Sequence, residues 1–166
     1  MMYVIQVKPA CELNVRAKLE REGIAAYVPR RELIIRRSGG WTKVISAMLP
    51  SYVFLDCDYC PEVHHIVKSV DGVINWLGKP TPITGEEEAF MRLIINGGVP
   101  IPESTADVDN DRNVTVTGGW LKGNEQYITG YNFRKKRALL EICFGGRLHR
   151  TSVGVEYTCL LYTSPS

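Results

Sequence analysis

The apolar positions change period along the chain, and each change marks an element. Tyr3-Val4-Ile5-Gln6-Val7 is a short run of strand formers that Pro9 ends. From Cys11 to Glu22 the spacing turns helical. Leu13 and Ala17 lie four apart, as do Val15 and Leu19, and Gly23 stands where a glycine closes a helix. Strand patterns return at Ile24–Val28 and Glu32–Arg36, interrupted by Pro29, and Ser38-Gly39-Gly40 predicts a turn from which Trp41–Ile45 pairs back as a hairpin. After Pro50, Tyr52-Val53-Phe54-Leu55 is unbroken apolar sequence suited to a central strand. Pro61 predicts the start of a helix whose buried face is Val63, Ile66, Val67 and Val70. Gly72 breaks it, and Val73–Leu77 reads as another strand. Thr84 with Glu87 predicts a capping box ahead of the stripe Phe90, Leu93, Ile94, which Gly97-Gly98 stop. The order β-α-β-β-α-β-α predicts an α+β fold: a ferredoxin-like sandwich of an antiparallel sheet with helices.

Val99 to Asn113 has no period. It carries Pro100, Pro102 and an acidic cluster, which predicts a linker. From Val114 the pattern becomes short strands at Val114–Thr117, Gln126–Tyr131, Ala138–Cys143 and Leu148–Val153, punctuated by glycines. Closely spaced short strands predict a small SH3-like β-barrel. The expected organisation is therefore a first domain over 1–98, an acidic Pro-containing linker over 99–112 and the barrel over 113–158. The segment 159–166, Cys159-Leu160-Leu161-Tyr162-Thr163-Ser164-Pro165-Ser166, looks like translated sequencing adapter and is set aside as a non-native tail.

Charge refines this division. The net charge of the 166-residue chain is only +2. Glu103, Asp107, Asp109 and Asp111 make the linker acidic, whereas Lys122, Arg134, Lys135, Lys136, Arg137, Arg147 and Arg150 make the last third basic. A small basic unit is the electrostatic footprint of an RNA or DNA contact. Five cysteines at irregular spacing point to a reducing compartment. Cys57 and Cys60 have the spacing of a metal or redox pair but no second ligand pair, so the expectation is no metal. The chain opens without a long apolar core, and no apolar run reaches membrane-spanning length, so neither a signal peptide nor a membrane is expected. No P-loop, HExxH or GxSxG motif occurs, and no nucleophile–base set is visible. The expectation is a binding protein, not an enzyme, with no cofactor.

Along nearly the whole chain before Cys159 the residues resemble the NusG family of transcription factors. Tyr3–Val7, Leu49-Pro50-Ser51-Tyr52-Val53-Phe54, and Val73–Gly78 followed by Pro82-Ile83 are similar to the family's N-terminal (NGN) domain. Val114-Thr115-Val116 with Gly119-Trp120-Leu121-Lys122-Gly123, and Phe144-Gly145-Gly146-Arg147, are similar to its KOW barrel. The glycine common in KOW motifs would fall near Gln126, which implies an altered first turn. Within the family, Lys122–Glu125, Arg134–Ala138 and Val153–Glu156 look most like LoaP, a branch dedicated to particular long operons.

The resemblance implies a monomeric cytoplasmic factor that binds the clamp helices of the largest RNA polymerase subunit. Leu49, Pro50, Tyr52, Val53 and Phe54 would contribute an apolar depression, although strand alternation sends Val53 and Leu55 to the face opposite Tyr52 and Phe54. His64 and His65 would reach the other side of the polymerase cleft or form a solvated helix face. Lys8 and Arg16 would meet non-template DNA or remain solvated. Arg30, Arg31, Arg36, Arg37 and Lys43 surround the hairpin and either steer nucleic acid or keep the hairpin soluble. Lys122, Arg134, Lys135, Lys136, Arg137, Arg147 and Arg150 would contact an RNA hairpin. A ribosomal protein or termination factor is the barrel's other implied partner. The expected activity is processive antitermination of specific operons. The competing readings are a housekeeping NusG and a free-standing RNA-binding protein of KOW type.

Overall fold

A computed structural model describes residues 1–78 and 80–160, which divide into two compact units. Unit 1 comprises Met1–Arg30, Ala47–Val99 and Ile142–His149; unit 2 comprises Arg31–Ser46, Pro100–Glu141 and Arg150 onwards.

In unit 1 the strands β1 (Met2–Val7), β2 (Ala25–Tyr27), β5 (Tyr52–Asp56) and β6 (Val73–Trp76) form one sheet in the order β2-β5-β1-β6. Its three pairings are antiparallel. With α1 (Glu12–Arg21) after β1 and α2 (Pro61–Ser69) between β5 and β6, this is the expected ferredoxin-like arrangement. Alternation along β1 and β5 directs Tyr3, Ile5, Val7, Val53 and Leu55 into a core with Val15 and Leu19 of α1 and Val67 of α2. Of the two stripes offered by α1, Val15/Leu19 is the buried one, while Leu13 and Ala17 face outward. The third helix, α3 (Gly85–Ile95), buries Phe90, Met91, Ile94 and Ile95. Thr84 stands at its N-cap but makes no side-chain cap hydrogen bond, so the expected capping box does not form. Asn96 in the left-handed region, followed by Gly97 and Gly98, ends it.

Unit 2 holds most of the hairpin β3 (Arg30–Arg37) and β4 (Gly40–Ala47), closed by Ser38 and Gly39 with φ of 49° and 79°. Two consecutive positive φ values give the tight turn that matches strand twist. A five-stranded sheet follows, made of β7 (Ser104–Val108), β8 (Val114–Gly118), β9 (Ile128–Asn132), β10 (Arg137–Phe144) and β11 (Arg147–Cys159). Its order is β8-β7-β11-β10-β9. Along β10, Ala138, Leu140, Ile142 and Phe144 are buried and the intervening residues exposed.

Two expectations change here, the linker and the extent of the last strand. The stretch expected as a linker contains β7, paired with β8 on one side and in parallel with β11 on the other, and it buries Ile101. Its alternation Ser104, Ala106, Val108 is hidden in sequence because two of the three buried side chains are small. The last strand runs past Val153 to Cys159, which pairs with Val108. The non-native reading of 159–166 thus covers one paired strand residue; its part from Leu161 to Ser166 lies outside the described residues. Near Gln126, where the usual glycine is replaced, residues Glu125–Tyr127 form a 3-10 turn.

Candidate functional site

The segment before β5 is held in an unusual backbone path. Ser51 has φ of 72°, in the left-handed region. Its N–H donates to the Oε1 of Glu12 at 2.8 Å, and its carbonyl accepts the Val7 N–H at 2.9 Å. Glu12 is buried for this purpose at the start of α1. The turn leaves Pro50 exposed, Leu49 buried and Tyr52 half-buried.

Tyr52 and Phe54 share the sheet face opposite the helical core, and side chains of the hairpin tip Ile142–His149 cover them. The Tyr52 ring meets Phe144 edge-on at 5.4 Å and His149 at 5.3 Å. Phe54 meets Phe144 at 5.4 Å, and Phe144 stacks on His149 at 3.9 Å. Burial, reinforced by the charge of Arg147, holds the His149 imidazole below the usual histidine range against a hydrogen bond with the Phe144 backbone. Phe144 and His149 carry no sequence signal for this contact, because they lie about ninety residues away from it. Of the expected apolar depression, Tyr52 and Phe54 share one face. Val53 is fully buried in the helical core, where alternation sends it, and does not belong to that face.

At the start of α2, His64 is half-buried. It stacks on Trp76 at 5.7 Å, and its Nδ1 lies 2.8 Å from the Tyr59 hydroxyl. His65 is exposed. Cys57 and Cys60 are free, and burial pushes the Cys57 thiol up. Among the described residues no group of three His, Cys, Asp or Glu side chains is placed to hold a metal. Lys8 is exposed, whereas Arg16 pairs with Glu20 at 3.1 Å on the same helix.

The basic residues divide. In unit 2, the turn between β9 and β10 places Arg134, Lys135 and Arg137 with Arg36 and Trp41 of the β3–β4 hairpin around a recess of about 390 Å³. Lys136, at φ 58°, puts its Nζ 4.4 Å from the centre of the Trp41 ring, and the Arg36 guanidinium lies 5.8 Å from it. Burial, then the like charge of Arg137, push the Arg31 guanidinium down to about 10. Lys122 is outside this recess and donates to the Val116 carbonyl at 3.3 Å. Arg150 pairs loosely with Glu141 at 3.7 Å. Arg147 belongs to unit 1, where it lines a cleft of about 450 Å³ with Leu77, Pro82, Ile83 and Gly145. Arg147 and Arg150, expected with the turn in an RNA contact, do not line the recess; Trp41 and Arg36 line it instead.

Comparison with known proteins adds to this geometry. A family model described as "Transcription termination factor nusG" matches residues 2–92. A "Transcription termination/antitermination protein NusG" of Neisseria meningitidis is 24% identical over 169 residues, covering 94% of this chain and 94% of its own. The protein so named from Pseudomonas aeruginosa is 26% identical over 170 residues, with 94% of each chain covered. A solved structure described as "Domain interaction in Thermotoga maritima NusG" is 17% identical, covers 92% of each chain and has a TM-score of 0.49.

Proposed function

The chain belongs to the NusG family, and from that premise we propose that it is a specialised antitermination factor that binds elongating RNA polymerase through the Tyr52 face. At the coarser level it is a NusG-like transcription factor. The observation that carries the finer reading is the half-buried Tyr52 ring beside exposed Pro50, on a backbone turn clamped by the Glu12 carboxylate. A rigid aromatic at a fixed position loses little entropy on binding, which suits an interface anchor.

Its partner on this reading is the pair of clamp helices in the largest polymerase subunit. Docking there exchanges Phe144 and His149 for apolar side chains of the helices. His64 and His65 face the opposite side of the cleft, and Lys8 with Arg16 meets non-template DNA. The turn Arg134–Arg137 meets an RNA hairpin; the LoaP-like stretches Lys122–Glu125, Arg134–Ala138 and Val153–Glu156 support this branch. The factor acts in the cytoplasm, favouring the processive polymerase conformation because it binds that conformation more tightly.

A second reading, a general NusG serving all transcription units through a ribosomal protein or termination factor, is supported by the names of both full-length relatives. Polymerase capture by the tagged chain tests the family role; a chain that takes up RNA but no polymerase would be an RNA-binding protein of ribosomal type. Chromatin occupancy then separates the first two readings: enrichment at one or a few long operons supports the specialised role, and uniform occupancy the general one.

A further inference from the structure

Trp41 is a large aromatic side chain that the hairpin exposes to 45% of its surface. It is not left among carboxylates. The recess it lines contains Arg36, Arg134, Lys135 and Arg137 and no acidic residue. Lys136 approaches the ring itself, where its ammonium also faces the Glu103 carboxylate. Arg134 and Lys135 are exposed, and the buried Nε of Arg137 has no hydrogen-bond partner among the described residues. Like charges gathered this closely repel one another; nearby, burial first and then the charge of Arg137 lower the Arg31 guanidinium. The cluster is thus short of an anion, and it surrounds a flat π surface.

We propose that this recess is a nucleotide subsite for single-stranded nucleic acid, with an unpaired base stacked on Trp41 and the adjoining phosphates held by Arg36, Arg134 and Lys135. The inference deepens the RNA role assigned above to the Arg134–Arg137 turn and rests on it. Two requirements of single strands are met together: a basic track for the backbone and an aromatic platform for a base. A duplex satisfies only the first, because both faces of its bases are already stacked. Of the two cations over the ring, Arg36 is the looser at 5.8 Å. It is the one a base displaces, and its planar fork then suits a phosphate. The β3–β4 hairpin, whose basic residues the sequence leaves between steering nucleic acid and keeping the hairpin soluble, thereby becomes half of the binding site.

Fluorescence anisotropy of the full chain with labelled oligouridylate of about a dozen nucleotides, the matching DNA strand and a blunt RNA duplex tests this. Trp41→Ala is expected to weaken single-strand binding about tenfold and to leave the salt slope unchanged, since it removes a stack and no phosphate contact. Trp41→Phe, which keeps a platform, should stay within about threefold of wild type. Arg134→Ala with Lys135→Ala should flatten the slope. Tighter binding of the DNA strand than of the RNA upholds the subsite and names DNA as its source. Unchanged affinity in Trp41→Ala, with loss in the Arg134/Lys135 variant, overturns the subsite and leaves the RNA role of the turn standing. Equal affinity for the duplex also overturns it. Failure of the wild-type chain to bind any of the probes overturns both.

Discussion

Glu12 opens a helix, a place where a carboxylate usually serves only the helix dipole. Here it is buried and accepts the N–H of Ser51, fixing the residue before Tyr52 in a left-handed conformation. Glu12→Ala leaves that donor without its acceptor and should cost ~1–3 kcal/mol, read as a lower melting temperature. Tyr52→Ala is expected to weaken binding to purified clamp helices by about thirtyfold, the ~2 kcal/mol of an interface anchor. Because Tyr52 also meets Phe144 and His149 edge-on, the same change should cost ~1 kcal/mol of stability. Normal melting together with normal binding would remove Tyr52 from both roles. His149 adds a pH dependence. Its folded-state pKa is lowered, so the unfolded chain binds more protons, and stability rises with pH. The contribution is complete above the unfolded value of ~6.5 and is lost as pH falls below it toward the folded value. Melting curves at pH 7.5 and 5.5 should therefore differ more for the wild-type chain than for His149→Gln.

At the scale of elements, β7 departs most from its sequence. A Pro-flanked acidic stretch without period forms an inner strand because both of its edges find partners, β8 and β11. Amide exchange should show Ser104–Val108 protected, far more slowly exchanging than the exposed Asn110 in the turn that follows. If Ser104–Val108 exchanges as fast as that turn, the strand is not a stable part of the sheet. Close approach explains two glycines. A Cβ on Gly119 would stand 2.6 Å from the Cα of Ser104, whose hydroxyl accepts the Leu121 N–H. A Cβ on Gly154 would stand 2.5 Å from the Glu32 carbonyl, where β3 crosses β11. Gly154→Ala should destabilise by ~1–3 kcal/mol through overpacking, measurable by denaturant titration. The predicted helices and the sheet of unit 1 are legible because their periods are strong, as at Val63, Ile66, Val67 and Val70. For α1 the sequence offers two equivalent stripes, and only the position of the sheet selects Val15 and Leu19.

For the whole molecule, the compact units do not follow chain order. Unit 1 includes Ile142–His149, and unit 2 includes Arg31–Ser46. A fragment of residues 1–98 would lack Phe144 and His149 over Tyr52 and Phe54. It should bind a hydrophobic dye more strongly and melt lower than the full chain, whereas equal melting without dye uptake would show that the hairpin tip contributes nothing there. Legible along the chain is the local code: strand and helix periods, proline and glycine stops, the basic last third, and motifs specific enough to point to the family. Those signals act between neighbours a few residues apart, where steric and hydrogen-bonding preferences need no tertiary partner. The tertiary structure alone decided that Phe144 and His149 cover Tyr52, that Glu12 reaches Ser51, that β7 is paired on both edges, and that Trp41 joins Arg134 and Lys135. These contacts span tens of residues in sequence. They depend on which buried faces pack together once chain entropy has been spent, and the periodicity of either segment alone contains no record of its partner.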